Sequence, residues 1–293
     1  MKLGIVFVIA LSLGNNVALA QSDREAVHRF VQIDYPGANL GTAATRVNER
    51  EMIVGTFANS EQQNGFMFYR GSFGLLSFPG ATSTTGRGVN AAGYIVGGYT
   101  DSVFVSHGFL WFDGVFHSID VPNSTATFIQ AINEGGDMVG SYSDMNGVQR
   151  AFVRKAGRYH QIEIPDSSFV GANDINDQDE IVGTYSDANG GTHGFLLGCD
   201  GFQKLDFPNA AFTSALGINN RRDVVGIYAD SSGNQAAFVV HKGKFRTLSL
   251  PVAGAQLVFA GGVNSRGDIV GSFSDAAGNQ HGFLLRGVGP RNP

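Results

Sequence analysis

An aromatic-to-proline segment recurs along the chain as Phe30…Pro36, Phe73…Pro79, Phe116…Pro122, Tyr159…Pro165, Phe202…Pro208 and Phe245…Pro251, and every step is 43 residues. A chain that spells one unit six times folds as an array of like units, open or closed on itself. Three further columns run in register. Asn48, Asn90, Asn133, Asn176, Asn219 and Asn264 each follow Val or Ile; Gly55, Gly97, Gly140, Gly183, Gly226 and Gly271 each follow Val; Phe66, Phe109, Phe152, Phe195, Phe238 and Phe283 each follow Gly or Ala.

Within one unit the pattern is four short strands. In the copy from Ser214, Ser214–Asn219 is the first strand, Asp223–Ala229 the second, Ala236–His241 the third and Phe245–Pro251 the fourth. Asn219–Arg222, Asp230–Asn234 and His241–Gly243 are turns, rich in residues that tolerate positive φ. Pro251, which cannot donate to a ladder, is expected at the end of an outer strand. Composition agrees: 41 of 293 residues are Gly, about twice the usual share, and charged residues are 15%. A helical bundle is excluded, because Gly and β-branched residues disfavour helices.

Strands at intervals of about ten residues, four per unit of about 43, predict an all-β, six-bladed β-propeller with four-stranded blades. The two chain ends add a specific expectation. His28–Pro36 supplies only a fourth strand, and Phe259–Leu285 supplies only three. Together they make one blade, so the N-terminal strand is expected to complete the C-terminal blade and close the ring. One domain is expected over 21–293.

The units resemble the HAF repeat of bacterial extracellular proteins. Its signature stands here as His107-Gly-Phe109, His193-Gly-Phe195 and His281-Gly-Phe283. The other units carry Asn64-Gly-Phe66, Arg150-Ala-Phe152 and Ala236-Ala-Phe238, so His is lost in half of them. The resemblance covers about residues 27–286. It implies secretion and a β-repeat fold, and says little about activity.

Residues 1–20 read as a secretory leader: Lys2, an apolar run from Leu3 to Leu13, then Ala18-Leu19-Ala20, with cleavage expected before Gln21. The apolar run is too short to span a bilayer, so a secreted protein, extracellular or periplasmic, is expected, without membrane insertion. Formal net charge is −5, and removing Lys2 with the leader leaves −6. No cationic cluster exceeds Arg221–Arg222, so nucleic acid is not an expected partner. The lone Cys199 can form no intrachain disulfide, and a monomer is expected.

Chemistry is sought where the six copies differ. Two before the Val/Ile of the first strand stand Thr45, Arg87, Gln130, Asn173, Leu216 and Gly261; one before stand Arg46, Gly88, Ala131, Asp174, Gly217 and Gly262. Arg46, Arg87, Gln130, Asn173 and Asp174 form a candidate ligand-binding mouth, and two guanidinium forks could hold a carboxylate or sulfate. The alternative is a hydrated channel whose polar groups bind one another. A second constellation is Asp101/His107, Asp187/His193 and Asp275/His281, one pair flanking each second-to-third-strand turn. An imidazole oriented by Asp could serve as acid or base; the plainer reading is a hydrogen-bonded clamp on each hairpin. Asp144-Met-Asn146-Gly147 and Asp187-Ala-Asn189-Gly190 resemble the start of a calcium loop but lack its later ligands, so no metal and no cofactor are expected. The aromatics Phe128, Phe169, Phe212 and Phe259 are candidates for a sugar-stacking or protein-contact surface. The leading functional expectation is a binding module for an extracellular carbohydrate, small ligand or protein. The alternatives are a lyase or hydrolase using a mouth His and Arg, and a structural surface protein without a small-molecule site.

Overall fold

The computed structural model describes residues 30–287; the expected leader, its cleavage point and His28 lie outside the described residues. Among the described residues, twenty-four strands and no helix are formed. One four-stranded antiparallel meander is β2 (Gly41–Val47), β3 (Ile53–Ala58), β4 (Gln63–Tyr69) and β5 (Ser72–Leu76), preceded by β1 (Phe30–Ile33). The next are β6 (Ser83–Val89), β7 (Ile95–Thr100), β8 (Ser106–Phe112) and β9 (Val115–Ile119), then β10 (Ser124–Ile132), β11 (Met138–Asp144), β12 (Gln149–Lys155) and β13 (Arg158–Ile162). Two more follow: β14 (Ser167–Ile175), β15 (Ile181–Asp187), β16 (Thr192–Gly198) and β17 (Gly201–Leu205), and β18 (Phe212–Ile218), β19 (Val224–Ala229), β20 (Gln235–His241) and β21 (Lys244–Thr247). These last two are joined by a single parallel pair, Thr192 with Phe212, and count as one eight-stranded sheet. The final sheet holds β22 (Gln256–Val263), β23 (Ile269–Ser274) and β24 (Gln280–Leu285), with β1 against β24. Phe30 faces Leu285 and Ile33 faces Gly282, so the first strand does fill the place beside the last.

The Phe column is the interior. All six rings are fully buried, each contributing about 2 kcal/mol from area removed from water. Clusters bridge neighbouring sheets. Val182 and Leu196 pack with Ala215, Ile218 and Phe238. Ile33, Val270 and Leu284 of the last sheet pack with Ala44, Val47 and Ile53 of the first meander.

A β-bulge falls at one place in every first strand. Pairing skips Thr45, Arg87, Gln130, Asn173, Leu216 and Gly261, the column in which the sequence varies most in polarity. A bulge leaves one residue unpaired and re-aims it. The Gly column on the second strand exists because of that bend. A Cβ on Gly97 would lie 1.9 Å from the Thr85 carbonyl oxygen and 2.8 Å from the Phe109 ring, and the other five glycines face the same carbonyl at 2.0–2.1 Å.

The prolines do not end the outer strands as expected. Pro251 lies beyond β21 and Pro79 beyond β5. In four units the residue before the proline is tied to the next sheet instead. Tyr35, Phe78, Val121 and Phe207 each donate their backbone N–H to a buried threonine, respectively Thr42, Thr84, Thr127 and Thr213, at 2.9–3.1 Å.

Candidate functional site

The Asn column closes one end of a central channel. Each Asn Oδ1 accepts backbone N–H groups of its own turn, as Asn48 does from Arg50 and Met52. Each Nδ2 donates to the main-chain oxygen of the next Asn: Asn48 to Asn90 (2.8 Å), Asn90 to Asn133 (3.1 Å), Asn133 to Asn176 (3.2 Å), Asn176 to Asn219 (3.2 Å), Asn219 to Asn264 (2.8 Å) and Asn264 back to Asn48 (3.2 Å). A short amide can do both because its donor and its acceptor are separate atoms; Asp has no donor, and Ser has only one atom for both tasks. The ring borders a cavity of about 70 Å³, whose wall also includes Arg46 and Asp174.

Arg46 spans the axis above that ring. Its guanidinium donates to the carbonyls of Thr45 (2.9 Å), Asn173 (2.5 Å), Leu216 (2.8 Å) and Gly261 (2.6 Å), and its Nε lies 3.4 Å from Asp174 Oδ2. Those four carbonyls belong to four of the six bulge residues. Asp174 is buried and also accepts from the backbone N–H groups of Ile175 (3.0 Å) and Ile218 (2.9 Å). Burial pushes its carboxyl upward against the opposing pull of Arg46 and those donors. Asn173 Nδ2 donates to Ala215 O at 2.8 Å and to Thr184 Oγ1 at 3.3 Å. Arg46, Asn173 and Asp174 therefore already have partners in one another and in the backbone.

The two remaining bulge residues differ. Among the described residues neither Arg87 nor Gln130 has a hydrogen-bond or ion-pair partner for its side chain. The backbones that carry them nearly touch, since a Cβ on Gly88 would lie 2.8 Å from Ala131 Cα; the two side chains therefore leave adjacent points on the ring. Arg87 is exposed. Partial loss of water around it, and then the charge of Arg46, lower its pKa from the ordinary value. Two residues before Gln130, Phe128 is 38% exposed, while Phe169, Phe212 and Phe259 are half-buried.

Each sequence-predicted histidine lies between two carboxylates. His107 Nε2 is 3.4 Å from Asp101 and Nδ1 3.0 Å from Asp120; His193 is 3.2 Å from Asp187 and 2.9 Å from Asp206; His281 is 3.4 Å from Asp275 and 2.9 Å from Asp34. The second partner, two residues before the repeat proline, was missed, though the sequence carries a signal for it. Asp34, Asp120 and Asp206 accompany the three His units, Glu163 accompanies Arg150, and Ser77 and Ser249 accompany Asn64 and Ala236. Cation and counter-charge vary together from unit to unit. In the Arg150 unit, Nε bonds Asp144 at 2.8 Å, and Glu163 adds attraction.

The turn aspartates have a role of their own. Asp101, Asp144 and Asp187 are held below the ordinary carboxylate range first by a backbone N–H of the turn, and Asp230 first by the Asn234 amide. Among the described residues no group of three or more His, Cys, Asp or Glu is arranged to hold a metal ion. Open grooves lie between neighbouring sheets. One of about 780 Å³ borders His281, Asp34 and Leu40, and one of about 500 Å³ borders Arg150, Glu163 and Phe169. The first contains no arginine and the second no histidine.

No family model matches this chain, and no curated protein matches it. Among solved structures, it is similar to AofleA from Arthrobotrys oligospora, at 12% identity and TM-score 0.55 over 88% of this chain and 86% of that one. It is also similar to TolB from Acinetobacter baumannii, at 13% identity and TM-score 0.53 over 85% of this chain and 64% of that one. At such identities the likeness speaks for the fold alone. No helix among the described residues is long and apolar enough to cross a membrane. The chain is an all-β protein of the β-propeller type, built from four-stranded antiparallel sheets.

Proposed function

We propose that the chain is a closed six-bladed propeller, exported, that acts as a binding module with its ligand seated in the channel mouth beside Arg87 and Gln130. The closed reading is supported by β1 on β24, by the returning Asn264–Asn48 bond and by the packing of the last sheet on the first. Export follows from the leader-like residues 1–20, and the His-Gly-Phe triplets support membership of the HAF repeat proteins.

One observation carries the binding reading. Of six bulge residues around the axis, four give their carbonyls to Arg46, and the other two present unpartnered polar side chains next to one another. A guanidinium without a protein acceptor is free to take a carboxylate or other anionic acceptor from a ligand. The acid–base alternative loses its motivation, since each of the three imidazoles it would use, His107, His193 and His281, already contacts two carboxylates of its own sheet. A glycan and metabolite binding screen on the folded chain, repeated with Arg87→Ala, tests the proposal. Hits lost in the variant support it; hits with unchanged affinity contradict it.

A further inference from the structure

We infer that the groove between the sheet β10–β13 and the strand β14 is a binding site for a neutral pyranose sugar, separate from the mouth and independent of it. The groove holds about 500 Å³, room for a small ligand. Val148, Arg150, Glu163, Ser167, Ser168 and Phe169 line it. It lies at the Ser167 end of β14, the end away from Asn176.

Donors and acceptors meet there. Arg150 Nε donates to Asp144 Oδ2 at 2.8 Å, and Asp144 is itself fixed by the backbone N–H groups of Asn146 (2.9 Å) and Val148 (3.0 Å). The two terminal guanidinium nitrogens have no acceptor among the described residues. Such a planar fork reaches two neighbouring hydroxyl oxygens at once. Glu163 is exposed; its Oε1 accepts from the Gln161 amide at 2.9 Å, and Oε2 is left for a ligand. Ser167 gives its O–H to Ile164 O at 2.6 Å, and Ser168 gives its own to Ser186 O and Asp187 O at 3.4 and 3.3 Å. Both hydroxyls therefore offer lone pairs. A sugar hydroxyl donates and accepts together, which suits a set of both kinds. Phe169, half-buried on the same groove, supplies an apolar ring for the C–H face of a pyranose.

Charge sets the class. The charged residues lining the groove are Arg150 and Glu163, and Asp144 offsets the first. The remaining charge is that of Glu163, so an anionic ligand meets repulsion. A cation would meet Glu163 but leave the Arg150 fork without an acceptor. The other units lack the full set. Phe169 pairs with Ser186, and the same place in the other first strands is Gly41, Ser83, Ala126, Phe212 and Gln256. Phe212 alone repeats the ring. There both nitrogens of His193 are already on Asp187 and Asp206, and the parallel pair of Thr192 with Phe212 joins the two sheets.

The test is titration of the folded chain with the methyl glycosides of D-glucose, D-galactose and D-mannose, and with D-glucuronate and L-argininamide as charged probes. Calorimetry and the ring resonances of Phe169 are the readouts. At least one neutral glycoside should bind and shift the Phe169 resonances. Arg150→Lys keeps the charge and loses the fork, and should weaken binding roughly 10- to 100-fold. Glu163→Gln, at an exposed position where the fold does not depend on it, should weaken binding about 10-fold. Phe169→Leu should cost roughly 2- to 10-fold. Arg87→Ala should leave glycoside binding unchanged, which supports a site apart from the mouth. Glycoside binding lost in Arg87→Ala but kept in Arg150→Lys moves the ligand to the mouth and overturns the groove alone. Unchanged affinity in folded Glu163→Gln and Arg150→Lys, tighter binding of D-glucuronate or L-argininamide than of every glycoside, or no binding by any probe also overturns the inference.

Discussion

Asn264 donates its side-chain amide to the main-chain oxygen of Asn48 across 216 positions of sequence, at 3.2 Å. It is one of six bonds of a single kind, and each fixes the neighbouring sheet at the same height. The donors and acceptors are buried, so every bond stands where water cannot replace it.

Removing one donor should therefore cost more than the modest net value of an exposed hydrogen bond. Asn133→Asp keeps the size, loses the N–H, and sets a carboxylate against the Asn176 carbonyl. A loss of roughly 1–3 kcal/mol is expected. Urea denaturation should show a lower midpoint with an unchanged slope.

The Gly column should be intolerant for a steric reason. Gly97→Ala places a methyl 1.9 Å from the Thr85 carbonyl oxygen, so the bulge and the Phe109 ring must both move. Overpacking of this kind costs roughly 1–3 kcal/mol. Gly98→Ala, one residue on, meets no atom nearer than 3.5 Å and is the control that should fold normally. Equal midpoints for the two variants would contradict the account.

Phe104 occupies a place that four other turns give to glycine. Its φ is 65°, beside 77°, 84°, 83° and 86° at Gly147, Gly190, Gly233 and Gly278. A bulky residue in this region carries strain of roughly 1–2 kcal/mol, and at 81% exposure the ring recovers little by burial. Phe104→Gly should hold or raise the thermal midpoint, an unusual outcome for losing a phenyl ring.

The His281 cluster should respond to pH in two windows. Burial alone would lower the imidazole pKa, but Asp34 and Asp275 outweigh it and hold it above 6.5. Its contribution is present in full below the unfolded pKa and fades as pH rises through the folded one. Asp275 is held down to about 2, first by the Asn279 amide and backbone N–H. Its contribution is present above about 3.9, the unfolded value, and is lost as pH falls toward 2. The difference in denaturation midpoint between the wild type and His281→Gln should be larger at pH 5 than at pH 9. A difference that grows with pH would contradict the assignment.

Much of this organisation could be read from the columns. The Asn, Gly and Phe columns are what hold the sheets together, and the variable column proved to be the bulge in each first strand. The fate of Arg46 was not legible. Its partners are backbone carbonyls from four separate strands, and a carbonyl carries no sequence signal. Its path also depends on Gly262, where a Cβ would stand 3.2 Å from Arg46 Cδ. The second Asp beside each histidine was legible in the covariation with Arg150 and Glu163 and was overlooked, because His and that Asp are 13 positions apart in the intact units. The prolines were misplaced because strand ends were read from the missing donor alone, whereas the backbone N–H before the proline already serves the following sheet.

The central claim is a ring closed by the strand Phe30–Ile33. Its direct test is a cross-link between Val31 and Leu284, which face each other on β1 and β24. A chain carrying Val31→Cys and Leu284→Cys, with the exposed Cys199 changed to Ser, should form an intramolecular disulfide under mild oxidation, found by mass spectrometry in a folded monomer with a raised unfolding midpoint. Two free thiols in the folded chain, or only bridges between molecules, would place β1 elsewhere and break the ring.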